Sequence, residues 1–201
     1  MYKIITAAIS LLFASSLVSQ ENLSRSSNLK SIILGGGCFW CTEAVFESIS
    51  GVQEVISGYA GGHVINPSYK DVCSGTTGHA EVVKVLYDST EVTLNQILNV
   101  FFSSHNPTTK DRQGADVGSQ YRSIIIYENE KQFYDINVII NNFQSKYENP
   151  IVTEIKQTKM FYPAEVSHQD YYINNKYNRY CSLVITPKVE SIKENFEWII
   201  K

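Results

Sequence analysis

Apolar and polar positions alternate between two periods along this chain, and the switches mark its elements. Leu29 to Leu34 reads as a strand, broken by Gly35, Gly36 and Gly37. Thr42 to Glu47 then reads as a helix, with Cys41, Ala44, Val45, Ser48 and Ile49 on one small or apolar face. Val52 to Tyr59 is the next strand and ends in the loop Gly58-Tyr59-Ala60-Gly61-Gly62. Tyr69 to Cys73 fits a short helix, and Val82 to Tyr87 a strand led in by Thr77-Gly78-His79-Ala80-Glu81. Leu94, Ile97, Leu98, Phe101 and Phe102 recur at helical spacing behind Thr93, a natural N-cap, and Asn106-Pro107 stops that helix. A polar loop follows, Thr108 to Gln120, long enough to suggest a functional role. Strand Tyr121 to Tyr127, a helix over 129–147, strand Ile151 to Ile155 and a last helix from Pro187 to Ile200 complete the pattern. The order predicts an α+β fold: a ferredoxin-like βαββαβ core with a mostly antiparallel sheet and a loop-rich C-terminal tail.

The first residues follow another rule. Lys3 precedes an apolar run from Ile4 to Val18, shorter than the ~20 residues of a membrane span. Small residues and then Gln20-Glu21-Asn22 follow, which is the pattern of a signal peptide over 1–19 cleaved near Ser19. Residues 20–30 read as a short linker and 31–201 as one domain. The expected location is the periplasm or cell envelope, or the cytoplasm if the leader reading fails. With no cysteine at the cleavage site, no lipid anchor is expected. A net charge of −3 gives no electrostatic support for nucleic-acid binding.

Four cysteines, Cys38, Cys41, Cys73 and Cys181, carry the candidate chemistry. An exported chain can use four as two structural disulfides. Cys38-x-x-Cys41 also has zinc-ligand spacing, but no second knuckle accompanies it. Catalytic or redox use is the better reading, because Cys38 stands where a strand hands over to a helix. Free N–H groups and the positive end of the helix dipole there favour a thiolate. Phe39 and Trp40 offer an apolar wall beside the sulfur. Glu81, Tyr59, Tyr121 and Asp116 sit in or beside glycine-rich stretches. On composition alone Glu81 could be an exposed strand-end carboxylate, the tyrosines core residues and Asp116 a turn residue. His63, His79, His105 and His168 lack ligand spacing and read as structural. A general thiol–disulfide oxidoreductase built on Cys38-x-x-Cys41, or a binding module with inert cysteines, are the other classes open to these residues.

Several separated segments narrow that choice. Gly37-Cys38-Phe39-Trp40-Cys41-Thr42-Glu43, Ser57-Gly58-Tyr59-Ala60-Gly61-Gly62, Val72-Cys73-Ser74-Gly75-Thr76-Thr77-Gly78-His79-Ala80-Glu81 and Gly114-Ala115-Asp116-Val117-Gly118-Ser119-Gln120-Tyr121-Arg122-Ser123 resemble the A-type peptide methionine sulfoxide reductases. Phe161-Tyr162-Pro163-Ala164-Glu165 and His168-Gln169-Asp170-Tyr171 match the family's later signature. The resemblance implies reduction of methionine-S-sulfoxide, free or in oxidised proteins, with no bound cofactor and a thioredoxin or thioredoxin-like reductant. It implies Cys38 as nucleophile, Phe39 and Trp40 as the wall for the substrate methyl group, and Tyr180 as a further substrate contact. It implies Glu81 as the acid on the sulfoxide oxygen, Tyr59 and Tyr121 as hydroxyl donors to it, and Asp116 as a carboxylate linked through water. A sulfenic acid on Cys38 would be resolved by a second thiol. Cys181, which follows Tyr180, matches the family's resolving position, with Cys41 the rival; Cys73 matches a cysteine of no usual redox role, expected as a buried small hydrophobe. The segment after Cys181 is not glycine-rich, unlike the family pattern. A monomer is expected.

Overall fold

The computed structural model describes residues 28–201; the expected signal peptide and residues 20–27 of the expected linker lie outside them. The first strand, β1 (Leu29–Gly35), begins inside the stretch read as linker. It is followed by α1 (Phe39–Glu47), β2 (Val52–Ala60), α2 (Tyr69–Cys73), β3 (Ala80–Asp88) and α3 (Leu94–Ser104). The stretch read as a polar loop holds two short strands, β4 (Arg112–Gln113) and β5 (Asp116–Val117), paired as a hairpin. Then come β6 (Ile124–Tyr127), α4 (Glu130–Gln144), β7 (Glu154–Gln157), β8 (Phe161–Pro163), α5 (Tyr171–Asn174) and α6 (Thr186–Asn195).

Six strands form one sheet in the order β7-β6-β1-β3-β2-β8. Neighbours from β6 to β8 run antiparallel, whereas β7 lies parallel to β6. The sheet is therefore mixed, with one parallel pairing among antiparallel ones, and its six strands exceed the four of a ferredoxin-like βαββαβ core. The physical reason is α4: a helix-containing connection carries the chain back across the sheet and lets β7 add in parallel beside β6. The tail also departs from expectation. It supplies an edge strand, β8, and a π-helical turn over Cys181–Ile185 that runs directly into α6.

Local chemistry sets the boundaries. Thr93 caps α3 by accepting from the Gln96 N–H, while the Gln96 side chain accepts from the Thr93 N–H, a reciprocal capping box. Asn129 caps α4 through the Gln132 N–H. The main core lies between one sheet face, with Ile32, Leu34, Val83 and Val85, and the helices, with Phe46, Phe101, Phe102 and Ile136. The opposite face carries a smaller cluster of Ile33, Ala80, Val82, Ile124 and Ile126 packed by Phe161. On β3 the side chains alternate between these faces, so Glu81 points with Val83 and Val85 toward the helices.

Edge strand β8 depends on a glycine. Gly58 pairs with Pro163, and a Cβ there would lie 2.5 Å from the Tyr162 carbonyl oxygen and 2.6 Å from the Phe161 ring. Gly58→Ala should push β8 from β2 and lower stability by about 1–3 kcal/mol. Urea denaturation measures it, and an unchanged midpoint would show that β8 is not held by this close approach.

Candidate active site

Cys38 is the N-cap of α1, and its backbone departs from the helix (φ −57°, ψ 127°). Gly37 delivers it there with φ +99°, a conformation that costs glycine little and other residues much. The four leading N–H groups of a helix need outside acceptors. Here the Phe39 N–H donates to Glu81 Oε2 at 3.0 Å, and the Trp40 N–H donates to the Cys38 sulfur. Nucleophile candidate and carboxyl group therefore share one helix start, the juxtaposition on which the resemblance depends.

Glu81 is 1% exposed, and its carboxyl is pushed up to about 8. Burial is the main cause, and the negative charges of Asp116 and Cys41 add to it, while the Phe39 N–H pulls the other way. At neutral pH this group carries a proton. It faces Tyr59 across the β2–β3 pair, where the two residues are in direct register.

The thiols differ from the expectation of a Cys38 thiolate. Cys38 and Cys41 hydrogen-bond to each other, so the two thiols titrate as a pair. Cys41 is lowered to about 7, first by the hydrogen bond from Cys38 and then by Lys188 and Tyr180, against the burial that raises it. Cys38 is raised well above its ordinary value by that same hydrogen bond, then by burial and by the charge of Glu81. Of the two thiols Cys41 is thus the more easily ionised, and the helix start is shared with an acidic group instead of reserved for Cys38.

The remaining candidates gather around this pair with unequal directness. The Tyr180 hydroxyl donates to Asp116 Oδ2 at 3.0 Å and stands 3.7 Å from the Cys41 sulfur, so Asp116 reaches the thiols through Tyr180. The Tyr59 hydroxyl donates to Glu165 Oε2 at 2.8 Å. Tyr121 ends a short turn after Gly118; burial first, then the charges of Glu81 and Cys38, raise its phenol. Tyr59 and Tyr180 are raised as well, with burial again the first cause, so all three hydroxyls keep their protons. Phe39 packs against Tyr59 with ring centroids 5.9 Å apart. Trp40 lies flat on Tyr171, centroids 3.6 Å apart and planes 6° apart.

Cys181 is fully buried on the π-helical turn, and burial and the charge of Cys41 raise its thiol. It is thus within electrostatic reach of Cys41. Cys73 is exposed at the end of α2, contrary to its expected burial, and hydrogen-bonds with Tyr69.

Other residues that the sequence reading passed over belong to the site. His168, read as structural, stacks among Tyr69 (4.3 Å), Phe39 (5.4 Å) and Trp40 (5.6 Å). Glu165 accepts from both the Tyr59 hydroxyl and the Tyr69 N–H. Tyr171 forms the outer layer over Trp40. Their only signal was the string from Phe161 to Tyr171, which carries no spacing rule that places it against Cys38. His79 and His105 do serve the scaffold. His79 Nδ1 accepts from the Gly62 N–H and its Nε2 bonds Val64 O, while His105 lies buried between Phe101 O and Ser123 and is lowered to about 4 by burial. Among the described residues no group of three or more His, Cys, Asp or Glu could hold a metal ion.

The chain is similar to known proteins over nearly all of this structure. The sequence profile of the family described as peptide methionine sulfoxide reductase matches residues 30–198. A relative from Saccharolobus solfataricus, "Peptide methionine sulfoxide reductase MsrA", is 52% identical over 163 residues, 81% of this chain and 92% of its own. The crystal structure of Mxr1 from Saccharomyces cerevisiae in reduced form superposes with a TM-score of 0.72 at 36% identity, covering 77% of this chain and 90% of that one. The same yeast protein in complex with Trx2 superposes with a TM-score of 0.50 at 27% identity, covering 72% and 86%. With the family profile covering residues 30–198 and a relative 52% identical over 163 residues, the chain belongs to the peptide methionine sulfoxide reductases of type A.

Proposed function

We propose that this protein reduces methionine-S-sulfoxide, free or within oxidised proteins, by thiol chemistry at Cys38. The observation that carries the reading is the Phe39 N–H donating to a protonatable Glu81 beside the Cys38 sulfur. A sulfoxide sulfur is a weak electrophile until its oxygen is protonated. Glu81 supplies that proton, and the hydroxyls of Tyr59 and Tyr121 stabilise the charge on the oxygen. The methyl group rests on Phe39 and Trp40. The Cys38 thiolate attacks the sulfur; the S–O bond to methionine breaks, the protonated oxygen passes to the Cys38 sulfur as the transient S–S bond breaks, and the products are methionine and Cys38 sulfenic acid. Giving up that proton leaves Glu81 as a carboxylate, which takes a proton back from solvent before the next turnover.

The hydrogen-bonded pair favours Cys41 as the first resolving thiol. Its thiolate attacks the sulfenic sulfur, giving a Cys38–Cys41 disulfide and water. Cys181, close enough to feel the charge of Cys41, is next in line for thiol–disulfide exchange. This differs from direct resolution by Cys181, which the resemblance implies. A thioredoxin-like dithiol then restores the enzyme, a role supported by the complex of yeast Mxr1 with Trx2. No bound cofactor enters the cycle. Each group belongs to a single chain, so a monomer suffices. Export by residues 1–19 would place this cycle in the periplasm or cell envelope with a thioredoxin-like donor there, and in the cytoplasm without it. Among the described residues no helix is long and apolar enough to cross a membrane.

Cys38→Ser should abolish reduction of a methionine-S-sulfoxide peptide with dithiothreitol, measured by separating the peptide from its oxide; residual turnover would sink the assignment, and turnover of the R-epimer alone would sink its stereochemistry. Glu81→Gln keeps an acceptor for the Phe39 N–H but has no acidic proton to give, so turnover should drop about 10²–10⁴-fold. Folding raises this carboxyl from 4.5 to about 8, so its contribution to stability is present below pH 4.5 and lost as pH rises toward 8. Glu81→Gln should therefore melt above the wild type at pH 8–9, and a lower Tm there would contradict the protonated-acid account. Peptide mapping after one turnover should find Cys38 joined to Cys41. Cys181→Ser should keep that disulfide and lose thioredoxin-driven cycling, whereas a wild-type Cys38–Cys181 bond with Cys41 free would overturn the order.

A further inference from the structure

One buried carboxylate has no part in this chemistry. Glu43 is 0% exposed in α1, one turn beyond Phe39 and Trp40, and among the described residues it makes no ion pair. Its partners are all donors: the Ser57 hydroxyl at 2.9 Å, the Tyr171 N–H at 3.1 Å and the Asp170 N–H. Asp170 is left-handed (φ 52°, ψ 29°), and the helix α5 starts at the next residue. That sequence of conformations turns two successive N–H groups toward one anion, and Glu43 occupies the nest. Glu47, a turn further on, is pushed up to about 8 by burial and by its hydrogen bond to the Asp170 side chain. Its proton keeps the two carboxyl groups together.

What this carboxylate anchors is an arch from Ala164 to Tyr171. The Gln169 side chain completes the attachment: its Oε1 accepts from the Ser57 N–H at 2.9 Å, and its Nε2 donates to Ser57 O at 2.9 Å and Ala164 O at 3.0 Å. The arch carries Glu165, which receives the Tyr59 hydroxyl, His168 in the aromatic wall, and Tyr171 flat on Trp40. Burial raises the Glu43 carboxyl against the pull of its donors, and a buried acidic group without a counter-ion gives poor stability in return for its desolvation. Its geometry, by contrast, fixes the spacing between the catalytic helix and the arch.

We infer that Glu43 is a positioning residue that latches the arch onto α1 and β2 and so sets Tyr171 and His168 against Trp40. The inference rests on the sulfoxide-reductase reading for the role of Trp40 as a substrate wall. The test uses Trp198→Phe, which leaves Trp40 as the one tryptophan, since the chain has two. In that background Glu43→Ala should raise KM for a methionine-S-sulfoxide peptide about 10-fold or more with kcat within about twofold, and shift Trp40 emission to the red. Glu43→Gln retains an acceptor for the Tyr171 N–H and should stay close to wild type in both. Tyr171→Ala should reproduce the KM effect, and adding Glu43→Ala to it should change little further. If Glu43→Ala does not fold, Gln169→Ala cuts the same latch from the other side and should give the same signature. A lowered Tm with unchanged KM and unchanged Trp40 emission would overturn the inference, as would KM effects of Glu43→Ala and Tyr171→Ala that multiply. A wild-type protein inactive on sulfoxides would sink only the earlier reading, and Trp40 emission would still decide the latch.

Discussion

The structure depends on how the first turn of α1 disposes of its free N–H groups. A helix that starts inside a protein must find acceptors there, and this one finds the Glu81 carboxyl for Phe39 and the Cys38 sulfur for Trp40. Two ionisable groups are thereby held at one positive helix end, out of water. They cannot both be ionised at low cost, so the carboxyl is raised to about 8 and Cys41 becomes the more easily ionised thiol. The proposed roles of acid, nucleophile and second thiol all rest on this single constraint.

The rest of the molecule keeps that arrangement dry and in register. Strand β3 puts Glu81 on the helix-covered face of the sheet, and β2 sets Tyr59 directly opposite it. Gly37 makes the turn into α1 possible. The tail, which carries β8, the arch and the π-helical turn, closes the site with Glu165, His168, Tyr171, Tyr180 and Cys181. A site assembled this way draws on nearly the whole chain, from residue 38 to residue 181, while its central pair is local. The division suits a cycle in which the sulfoxide is handled by residues fixed to the sheet and the oxidised sulfur is handed toward the tail.

Electrostatics in this site is cooperative, and a single-residue account misleads. The helix dipole alone favours a Cys38 thiolate. With Glu81 and Cys41 in place, Cys38 is raised and Cys41 lowered, because a hydrogen-bonded dithiol ionises as a unit. Glu43 shows the same logic without chemistry: backbone donors in place of a cation hold a buried carboxylate.

Local pattern was enough for what local physics decides. Periodicity located β1, α1, β2, β3, α3, β6 and α4 near their observed bounds, and Thr93 was legible as a cap because a capping box is written in four consecutive residues. Cys38 at a helix start could be read from three glycines and an amphipathic run. The motifs also carried the family. Tertiary structure alone decided which groups meet. The parallel addition of β7, the stacking of His168 and Tyr171 on the catalytic helix, the exposure of Cys73 and the contact of Cys38 with Cys41 rest on side chains brought together by folding. Proton placement belongs to that second class as well, because burial and neighbouring charge set a pKa, and neither exists until the chain has closed around the group.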